Sequence, residues 1–439
     1  MHLHGTSEVN EKGHLEIGGI DTIELARKFG TPLYVYDVAL IKERARSFKD
    51  TFEKLNVKAQ VAYASKAFSS VAMVQLVEEE GLSLDVVSGG ELHTALTAGF
   101  PTEKIHFHGN NKSREELEMA IQNRIGCIVV DNFYELSLLE ELCFEHRVQT
   151  PILLRVTPGI EAHTHDYILT GQEDSKFGFD LHNGQADEAV KQSLESSAFT
   201  ILGIHSHIGS QIFETTGFVL AAQKMFAKMG HWKKDFGFVP QVLNLGGGFG
   251  IRYTSEDDPL PVSAYVENIV TEVKKLANEI EMDVPEIWIE PGRSLVGDAG
   301  TMLYSVGSRK DIPSVRQYVA VDGGMSDNIR PALYQAKYEA VLANRVLADK
   351  EETVSIAGKC CETGDMLIWD LPLPKVNNND TLAIFCTGAY GYSMANNYNR
   401  LPRPAVVFVE DRGANLVIRR ETFEDLVRLD LPLKEKVKK

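Results

Sequence analysis

Lys66 is a residue whose type and position could do chemistry. It ends the short apolar run Tyr63-Ala64-Ser65-Lys66, and a segment with helical spacing follows it. A lysine that is partly desolvated at the end of a strand has a lowered pKa, and its amine can attack an aldehyde to form a Schiff base. A lone lysine at a strand end more commonly extends its ammonium into water. Its neighbours in space therefore decide between the two interpretations.

A glycine run could bind a phosphate. Gly246-Gly247-Gly248-Phe249-Gly250 follows an apolar run, and glycine-rich backbone at the start of a helix exposes N–H groups to an anion. Gly292 and Arg293 follow the last such apolar run and supply further donors, and Ser210 can add a hydroxyl. A tight turn or a dinucleotide-binding loop would also contain such glycines. The whole set predicts a phosphate site more strongly than the glycine run does alone.

Glu290 and His207 could hold an aromatic ring. A carboxylate against a pyridine nitrogen keeps that nitrogen protonated, and a protonated ring accepts electrons from a carbanion. His207 could stack flat on the same ring. The alternatives are a salt bridge from Glu290 to Arg293 or another nearby cation, and a histidine that is only hydrogen-bonded within its strand. Together with Lys66 and the phosphate site, these are the partners that pyridoxal 5'-phosphate needs.

Eight short apolar runs alternate with segments of helical spacing over the first two thirds of the chain. The runs are Val61–Ala64, Leu84–Val87, Ile105–His108, Cys127–Val130, Ile152–Val156, Ile201–His205, Val242–Leu245 and Ile287–Glu290. Such alternation predicts a parallel sheet, and eight units over roughly 250 residues is the size of a (β/α)8 TIM barrel.

Each apolar run leads into small or polar residues, for example Ser65 with Lys66, and Ser206 with His207. In a barrel these strand ends meet at the carboxyl-terminal rim, where barrel enzymes keep their chemistry. The predicted fold would therefore bring the candidate residues together.

After about Gly300 the pattern changes to β-prone segments without long helices between them, which predicts a C-terminal antiparallel β domain. The early strand Pro32–Tyr36 precedes the barrel and is expected to pair into that domain. We therefore expect an N-terminal segment at 1–37, a barrel at 38–300 and a β domain at 301–439. The β-prone segments are Gln317–Val321, Thr353–Ile356, Thr381–Phe385, Ala405–Val409 and Leu416–Arg419.

Charge and cysteine usage limit the possible partners and location. Lys+Arg 45 against Asp+Glu 62 gives a net charge of -17, so phosphate backbones and anionic lipid should be repelled. The start lacks the apolar stretch of a signal peptide, and no segment reaches the length of a membrane span. We expect a cytoplasmic protein with reduced thiols and no metal, and a solvated terminus at Lys434 to Lys439. The five cysteines, which have neither disulfide nor metal-ligand spacing, are Cys127, Cys143, Cys360, Cys361 and Cys386.

Several motifs together resemble the alanine-racemase-fold family of pyridoxal-phosphate decarboxylases over essentially the whole chain. They are Tyr63–Lys66, His205–Gln211, Gly246–Gly250 and Glu290–Ser294. Three further blocks resemble the branch of that family that acts on meso-diaminopimelate. These are Phe107–Ser113, Arg330–Tyr334 and Cys361–Asp365. Thr363 departs mildly from that branch, which more often has serine there, and it keeps the hydroxyl.

The resemblance implies a role for each candidate residue. Lys66 would hold the cofactor, His207 would stack on it, and Glu290 would contact its ring nitrogen, while Cys361 would donate a proton. The phosphate side would be bordered by Ser210, Gly247, Gly248, Gly292, Arg293 and Tyr390. The amino-acid substrate would be bound by Arg293, Arg330, Tyr334, Glu362 and Tyr390. Without the resemblance, Arg330 and Glu362 would be interpreted as surface charges.

The implied reaction is decarboxylation of meso-2,6-diaminopimelate to L-lysine and carbon dioxide, the last step of lysine biosynthesis. The resemblance also implies a head-to-tail homodimer with shared sites, in which Cys361 and Glu362 enter from the partner subunit. Ornithine, arginine or carboxynorspermidine is the alternative substrate, and Glu362, Arg330 and the Asn110-Asn111 block argue against the first two. A catalytically silent homologue and a nicotinamide dehydrogenase are the remaining hypotheses, and little in the sequence supports either.

Overall fold

A computed structural model of the protein describes residues 2–160 and 175–433. The basic run Lys434 to Lys439 lies outside the described residues. The chain divides into two compact units, one formed by Leu40–Asp298 and the other by Met1–Ala39 with Ala299–Lys439. None of the helices in the described ranges is long and apolar enough to cross a membrane.

The unit formed by Met1–Ala39 and Ala299–Lys439 begins with a small antiparallel sheet. Its strands β1 to β3 pair in sequence, and helix α1 follows, capped by the Asp21 carboxylate, which accepts a hydrogen bond from the Ile23 N–H. Strand β4 is buried along its whole length. The bounds are β1 (Glu8–Val9), β2 (Leu15–Ile17), β3 (Ile20–Asp21), α1 (Thr22–Phe29) and β4 (Leu33–Asp37).

The unit formed by Leu40–Asp298 contains the predicted barrel. Its elements are α2 (Val38–Lys54), β5 (Ala59–Ala64), α3 (Val71–Glu79), β6 (Ser83–Val86), α4 (Gly89–Ala98), β7 (Ile105–Phe107), α5 (Arg114–Gln122), β8 (Cys127–Val130), α6 (Phe133–His146), β9 (Thr150–Thr157), β10 (Phe179–Asp180), α7 (Gln185–Glu195), β11 (Phe199–His205), α8 (Thr216–Phe236), β12 (Val242–Asn244), α9 (Val262–Glu279), β13 (Glu286–Ile289) and α10 (Arg293–Val296). Eight strands pair in parallel in the order β9-β11-β12-β13-β5-β6-β7-β8, and β8 pairs back onto β9. The closed (β/α)8 barrel is thus confirmed, with β10 as an added strand beside β9.

Several polar residues at the strand ends cap the helices that follow. The side chains of Ser88, Ser113 and Asn132 each accept a hydrogen bond from a backbone N–H in the first turn of α4, α5 and α6. Ser113 forms a complete capping box with Glu116. Polar strand ends are therefore not all functional, because a helix start needs acceptors at the same positions.

Side chains inside the barrel form layers, because successive residues of a strand point to opposite faces. Cys127, Val129, Leu153, Val242 and Trp288 form an apolar cluster. One pleat further along four of the strands or their ends, the same face carries polar side chains. They are Asp131, Arg155, Asn244 and Glu290.

The β domain is a mixed sheet in the unit formed by Met1–Ala39 and Ala299–Lys439. Its strands run in the order β18-β17-β15-β14-β4-β20-β21, and β19 pairs with both β14 and β16. The expected pairing of the early strand β4 into this domain is confirmed, although β4 with β20 and β15 with β17 run parallel rather than antiparallel. The bounds are β14 (Gly300–Ile312), β15 (Arg316–Val321), α11 (Arg330–Tyr334), β16 (Ala340–Leu342), β17 (Glu352–Ala357), β18 (Met366–Leu373), β19 (Thr381–Ile384), β20 (Ala405–Glu410), β21 (Gly413–Ile418) and α12 (Phe423–Val427).

A buried ion pair fixes the loop between β7 and α5. Lys112 Nζ donates to Glu135 Oε1 at 2.6 Å and to the carbonyl oxygens of Gly109 and Val129 at 2.9 and 2.8 Å. Both side chains are almost fully buried. A buried charge that loses its partner is costly, whereas a pair replaced as a whole by apolar groups often is not.

We therefore predict that Lys112→Met lowers the free energy of unfolding by about 3 kcal/mol or more, because Glu135 keeps its buried charge. The double variant Lys112→Met with Glu135→Leu should recover most of this loss. Urea denaturation followed by circular dichroism measures both. Arg114→Met, which removes ion pairs on the exposed side of α5, is the control and should change stability far less. Equal losses in the single and double variants would contradict the account.

Candidate active site

Glu290 lies at the carboxyl-terminal end of β13 and is only 7% exposed. Its Oε1 accepts a hydrogen bond from Asn244 Nδ2 at 2.6 Å, and His108 Nε2 lies 2.9 Å from the same oxygen. The other oxygen, Oε2, lies 3.1 Å from His205 Nε2. Three strand ends therefore each contribute a group that contacts this one carboxylate.

These contacts keep Glu290 ionised. Burial alone would raise the pKa of Glu290, but the charges of His108 and His205 close to its oxygens outweigh burial and hold its pKa well below the usual range. The expected alternative partner, Arg293, instead donates hydrogen bonds to Tyr253 Oη and to Ser210 Oγ. Glu290 is thus a buried carboxylate held by histidines and an amide.

His207 lies next to the glycine loop that follows β12. Its Nδ1 accepts the Gly247 N–H at 3.2 Å, so the proton of the neutral ring is on Nε2. Burial, together with the positive charges of Lys66 and Arg155, holds the pKa of His207 well below its usual value. Gly246 adopts φ +69°, and a Cβ there would lie 2.8 Å from His207 Nδ1. Glycine is therefore required where the loop passes the ring.

Lys66 follows β5 in the short 3-10 helix Ser65–Ala67. Its side chain is exposed, so the partial desolvation expected from the sequence is wrong for this structure. Within the described residues no hydrogen bond or ion pair holds its Nζ. Burial raises the pKa of two acids on neighbouring elements, Asp85 of β6 and Glu91 of α4, and the positive charge of Lys66 opposes that rise. An amine that is accessible and not committed to a partner can take up an aldehyde.

The glycine run does not begin a helix, which corrects the sequence-based expectation. Residues 245–261 form a loop, and α9 begins only at Val262. Gly248 adopts φ +105°, and a Cβ there would lie 2.3 Å from the Gly209 carbonyl oxygen. The Gly247 N–H is used by His207, whereas those of Gly248 and Phe249 have no acceptor within the described residues. The loop thus offers backbone donors without a helix dipole.

Arg293 and Ser210 lie beside this loop. The Arg293 guanidinium is buried, donates to Ser210 Oγ at 2.9 Å and lies over the Tyr253 ring. Gly292 is buried as well, and a Cβ there would lie 3.1 Å from Ala64 Cβ, at the end of β5. A guanidinium and a hydroxyl on the loops after β13 and β11 are suitable donors for a phosphate.

The remaining candidates lie in the other unit and are described by themselves. Cys361 is a free, exposed thiol whose backbone N–H donates to Asn399 Oδ1 at 2.6 Å. Glu362 is exposed, and its Oε2 accepts from Tyr398 Oη at 3.4 Å. Tyr390 is half-buried and has φ +58°. None of the five cysteines forms a disulfide within the described residues.

Arg330 and Tyr334 lie at the two ends of α11. Arg330 is buried and donates to Tyr338 Oη at 2.6 Å, so the interpretation of Arg330 as a surface charge is wrong. Tyr334 is 39% exposed. A buried guanidinium needs hydrogen-bond acceptors, and the Tyr338 hydroxyl supplies one.

Sequence reasoning missed the groups that surround Glu290. They are Asp85, His108, Arg155, His205 and Asn244. A usable signal was the spacing of two residues along each strand. His205 precedes the candidate His207 by two residues, and Asn244 precedes the candidate Gly246 in the same way. Residues two apart on a strand lie on the same face, so the side chains of His205 and Asn244 face the barrel interior.

Comparison with known proteins places this chain among characterised relatives. The family model for the pyridoxal-dependent decarboxylase, pyridoxal binding domain, matches residues 38–297. The diaminopimelate decarboxylase of Bacillus methanolicus is 74% identical over 421 residues, which are 96% of this chain and 98% of that protein. The diaminopimelate decarboxylase of Bacillus subtilis (strain 168) is 70% identical over 438 residues, 100% of both chains.

Solved structures give the same result. The crystal structure of diaminopimelate decarboxylase from M. jannaschii in complex with L-lysine matches this chain with a TM-score of 0.92. The two sequences are 38% identical, and the match covers 97% of this chain and 98% of that one.

The acid Glu91 gives a test of the electrostatics beside Lys66. Burial raises the pKa of Glu91 to about 7, against the opposing effects of the Val87 N–H and Lys66. Between pH 5 and 7 the unfolded chain releases this proton while the folded chain keeps it, so stability falls as the pH rises. We predict that, between pH 5 and pH 7, the free energy of unfolding falls by about 2 kcal/mol less in Glu91→Gln than in the wild type. Urea denaturation at each pH measures this difference. The exposed control Glu195→Gln should follow the wild-type curve; the same result for Glu91→Gln would refute the prediction.

Proposed function

Because this chain belongs to the pyridoxal-dependent decarboxylase family, we propose that it removes one carboxylate from meso-2,6-diaminopimelate and releases L-lysine and carbon dioxide. Similarity to relatives named diaminopimelate decarboxylase extends over the full length of the chain and supports this substrate. The relative from M. jannaschii was solved with L-lysine, which is the product of the proposed reaction.

The cofactor of this family is pyridoxal 5'-phosphate, and the described residues fit it. The exposed Lys66 amine would hold its aldehyde carbon covalently, and Arg293, Ser210 and the free N–H groups of Gly248 and Phe249 would bind its phosphate. When bound, the protonated pyridine ring accepts the electron pair that remains when a carboxylate leaves.

The observation that carries the proposal is the buried Glu290 carboxylate at the end of β13, whose oxygens contact Asn244, His108 and His205. A carboxylate with a lowered pKa does not take the proton from a ring nitrogen that it faces. The nitrogen then stays protonated, and the protonated ring is the form that accepts electrons. His207 is neutral and half-buried beside the glycine loop, so its ring can pack against an aromatic face without adding a charge.

We assign the binding of the substrate to five residues. The guanidinium groups of Arg293 and Arg330 suit a carboxylate, and the Glu362 carboxylate suits an ammonium. Tyr334 and Tyr390 add hydroxyl groups. Both arginines are buried, which strengthens their attraction for an anion relative to an arginine in water.

The proton that completes the reaction comes from Cys361 in this proposal. Loss of carbon dioxide would leave an electron pair at the α-carbon, for which the bound cofactor would be the acceptor. Cys361 Sγ would give its proton to the α-carbon, and Lys66 Nζ would hold the cofactor again once the product leaves. Cys361 is exposed and free, so its thiol is available to a site that a second molecule completes.

We propose a homodimer in which the Cys361 and Glu362 of one chain serve the Lys66 of the other. Tyr398, whose hydroxyl donates to Glu362, is an exposed aromatic side chain and supports a partner surface there. We also propose that residues 38–300 form the cofactor-binding domain and that 1–37 and 301–439 form the second. The five cysteines form no disulfide within the described residues, which favours the reducing cytoplasm as the location of the protein.

Product analysis tests the substrate. The protein with added pyridoxal 5'-phosphate should release carbon dioxide and L-lysine from meso-diaminopimelate, and at least 100-fold more slowly from ornithine, arginine or carboxynorspermidine, because only the first offers a distal carboxylate with its amine. Chromatography of the products with trapping of carbon dioxide measures this. Lys66→Ala is the inactive control. Preference for ornithine would overturn the substrate assignment.

Mixing two inactive variants tests the shared site. Lys66→Ala and Cys361→Ala proteins should each be inactive or nearly so, and their mixture should recover up to about a quarter of wild-type activity, since random pairing makes half of the dimers mixed and each mixed dimer has one intact site. Subunit exchange is verified by mass spectrometry of differently tagged chains. Exchange without any recovery would show that each site belongs to one chain.

A further inference from the structure

His108 is a buried titratable side chain to which the proposed reaction assigns no role. It follows β7, and its Nε2 lies 2.9 Å from Glu290 Oε1 and 3.8 Å from Asp85 Oδ1. Asp85 belongs to β6, and Glu290 ends β13. One imidazole therefore stands between two buried carboxyl groups that come from different strands.

The pKa values of the two carboxyl groups are shifted in opposite directions. Burial raises the pKa of Asp85, and the negative charge of Glu290 adds to that rise, whereas the pKa of Glu290 is held low. Burial would lower the pKa of His108, but Asp85 and Glu290 outweigh it and raise that pKa. The positive charge of His108 is therefore placed where it stabilises the negative charge on Glu290.

The other charged and titratable groups around His108 do not substitute for it. Arg155 of β9 is a cation that opposes protonation of His108. The His205 ring lies 4.8 Å from that of His108, and burial lowers the pKa of His205 to about 4. His106 of β7, two residues before His108, stacks on Trp288, and burial lowers its pKa to about 3. Of the two histidines that contact Glu290, His108 is thus the one whose pKa is raised, so its ring holds a proton more readily than that of His205.

We propose that His108 is a positioning residue that bridges Asp85 and Glu290 and keeps Glu290 charged toward the ring nitrogen of the bound cofactor. This inference rests on the proposed function. Its physical basis is that a charge in a buried site needs a partner of opposite sign at close range. Without His108, two carboxyl groups would compete for one proton inside the barrel, and Glu290 would take it up at a higher pH.

The test is a pair of pH titrations on the cofactor-loaded dimer. His108→Gln keeps a side chain of similar length that can donate a hydrogen bond but cannot be charged. In this variant the acidic limb of the kcat profile should shift up by about one pH unit or more, with KM nearly unchanged. The visible absorbance of the bound cofactor, titrated without substrate, should show the same upward shift.

His106→Gln is the matched control, because it removes a second buried histidine, two residues earlier in β7, that stacks on Trp288 instead of contacting Glu290. It should lower stability without moving either titration. The double variant His108→Gln with Glu290→Gln should be no slower than Glu290→Gln alone, since His108 acts through Glu290.

The outcomes separate this inference from the proposed function. A uniform loss of activity at every pH in His108→Gln, with unshifted absorbance, would overturn the role of His108 and leave the decarboxylase intact. Additive losses in the double variant would overturn it too. Wild-type protein that binds no pyridoxal 5'-phosphate, or releases no carbon dioxide from meso-diaminopimelate, would instead overturn the proposed function.

Discussion

A carboxylate that must stay charged inside a closed barrel is the constraint on which the rest of this structure depends. Glu290 lies where burial favours the neutral acid, and only groups of suitable charge at hydrogen-bonding distance reverse that preference. Asn244, His108 and His205 come from three other strands, β12, β7 and β11 or their ends. Since neighbouring strands are linked around the whole ring, closure of β8 onto β9 helps to fix distances on which the charge of Glu290 depends.

The barrel separates packing from chemistry along each strand. Trp288 lies in the apolar cluster, and Glu290, one pleat further on, lies in the polar layer. The same step leads from His106, stacked on Trp288, to His108 at Glu290. Glycine appears where backbones approach too closely for a side chain: a Cβ on Gly247 would lie 2.0 Å from the Glu290 carbonyl oxygen. The glycines of this loop therefore set the approach of the loop to the site as well as its exposed N–H groups.

Much of the fold could be predicted from the sequence, because strand and helix periodicities are local properties. The eight apolar runs became the eight barrel strands, and the early strand at Leu33–Asp37 pairs with β14 and β20 as expected. The expectation that the glycine run begins a helix is wrong, because glycine favours loops and helix starts alike. The partners of Glu290 and the burial of Arg330 could not be predicted, because they depend on contacts between residues that are distant in the chain. The polar strand ends Ser88 and Asn132 cap helices, a use that composition alone does not distinguish from a binding role.

The claim that most needs a direct test is that the charged Glu290 faces the ring nitrogen of a cofactor bound to Lys66. A crystal structure of the protein with pyridoxal 5'-phosphate and L-lysine would measure it. The account predicts a ring nitrogen about 3 Å from the Glu290 carboxylate, with the His207 ring against the face of the cofactor and the phosphate at the Gly248 and Phe249 N–H groups. A cofactor whose ring nitrogen contacts another group, with Glu290 still held only by His108, His205 and Asn244, would contradict it.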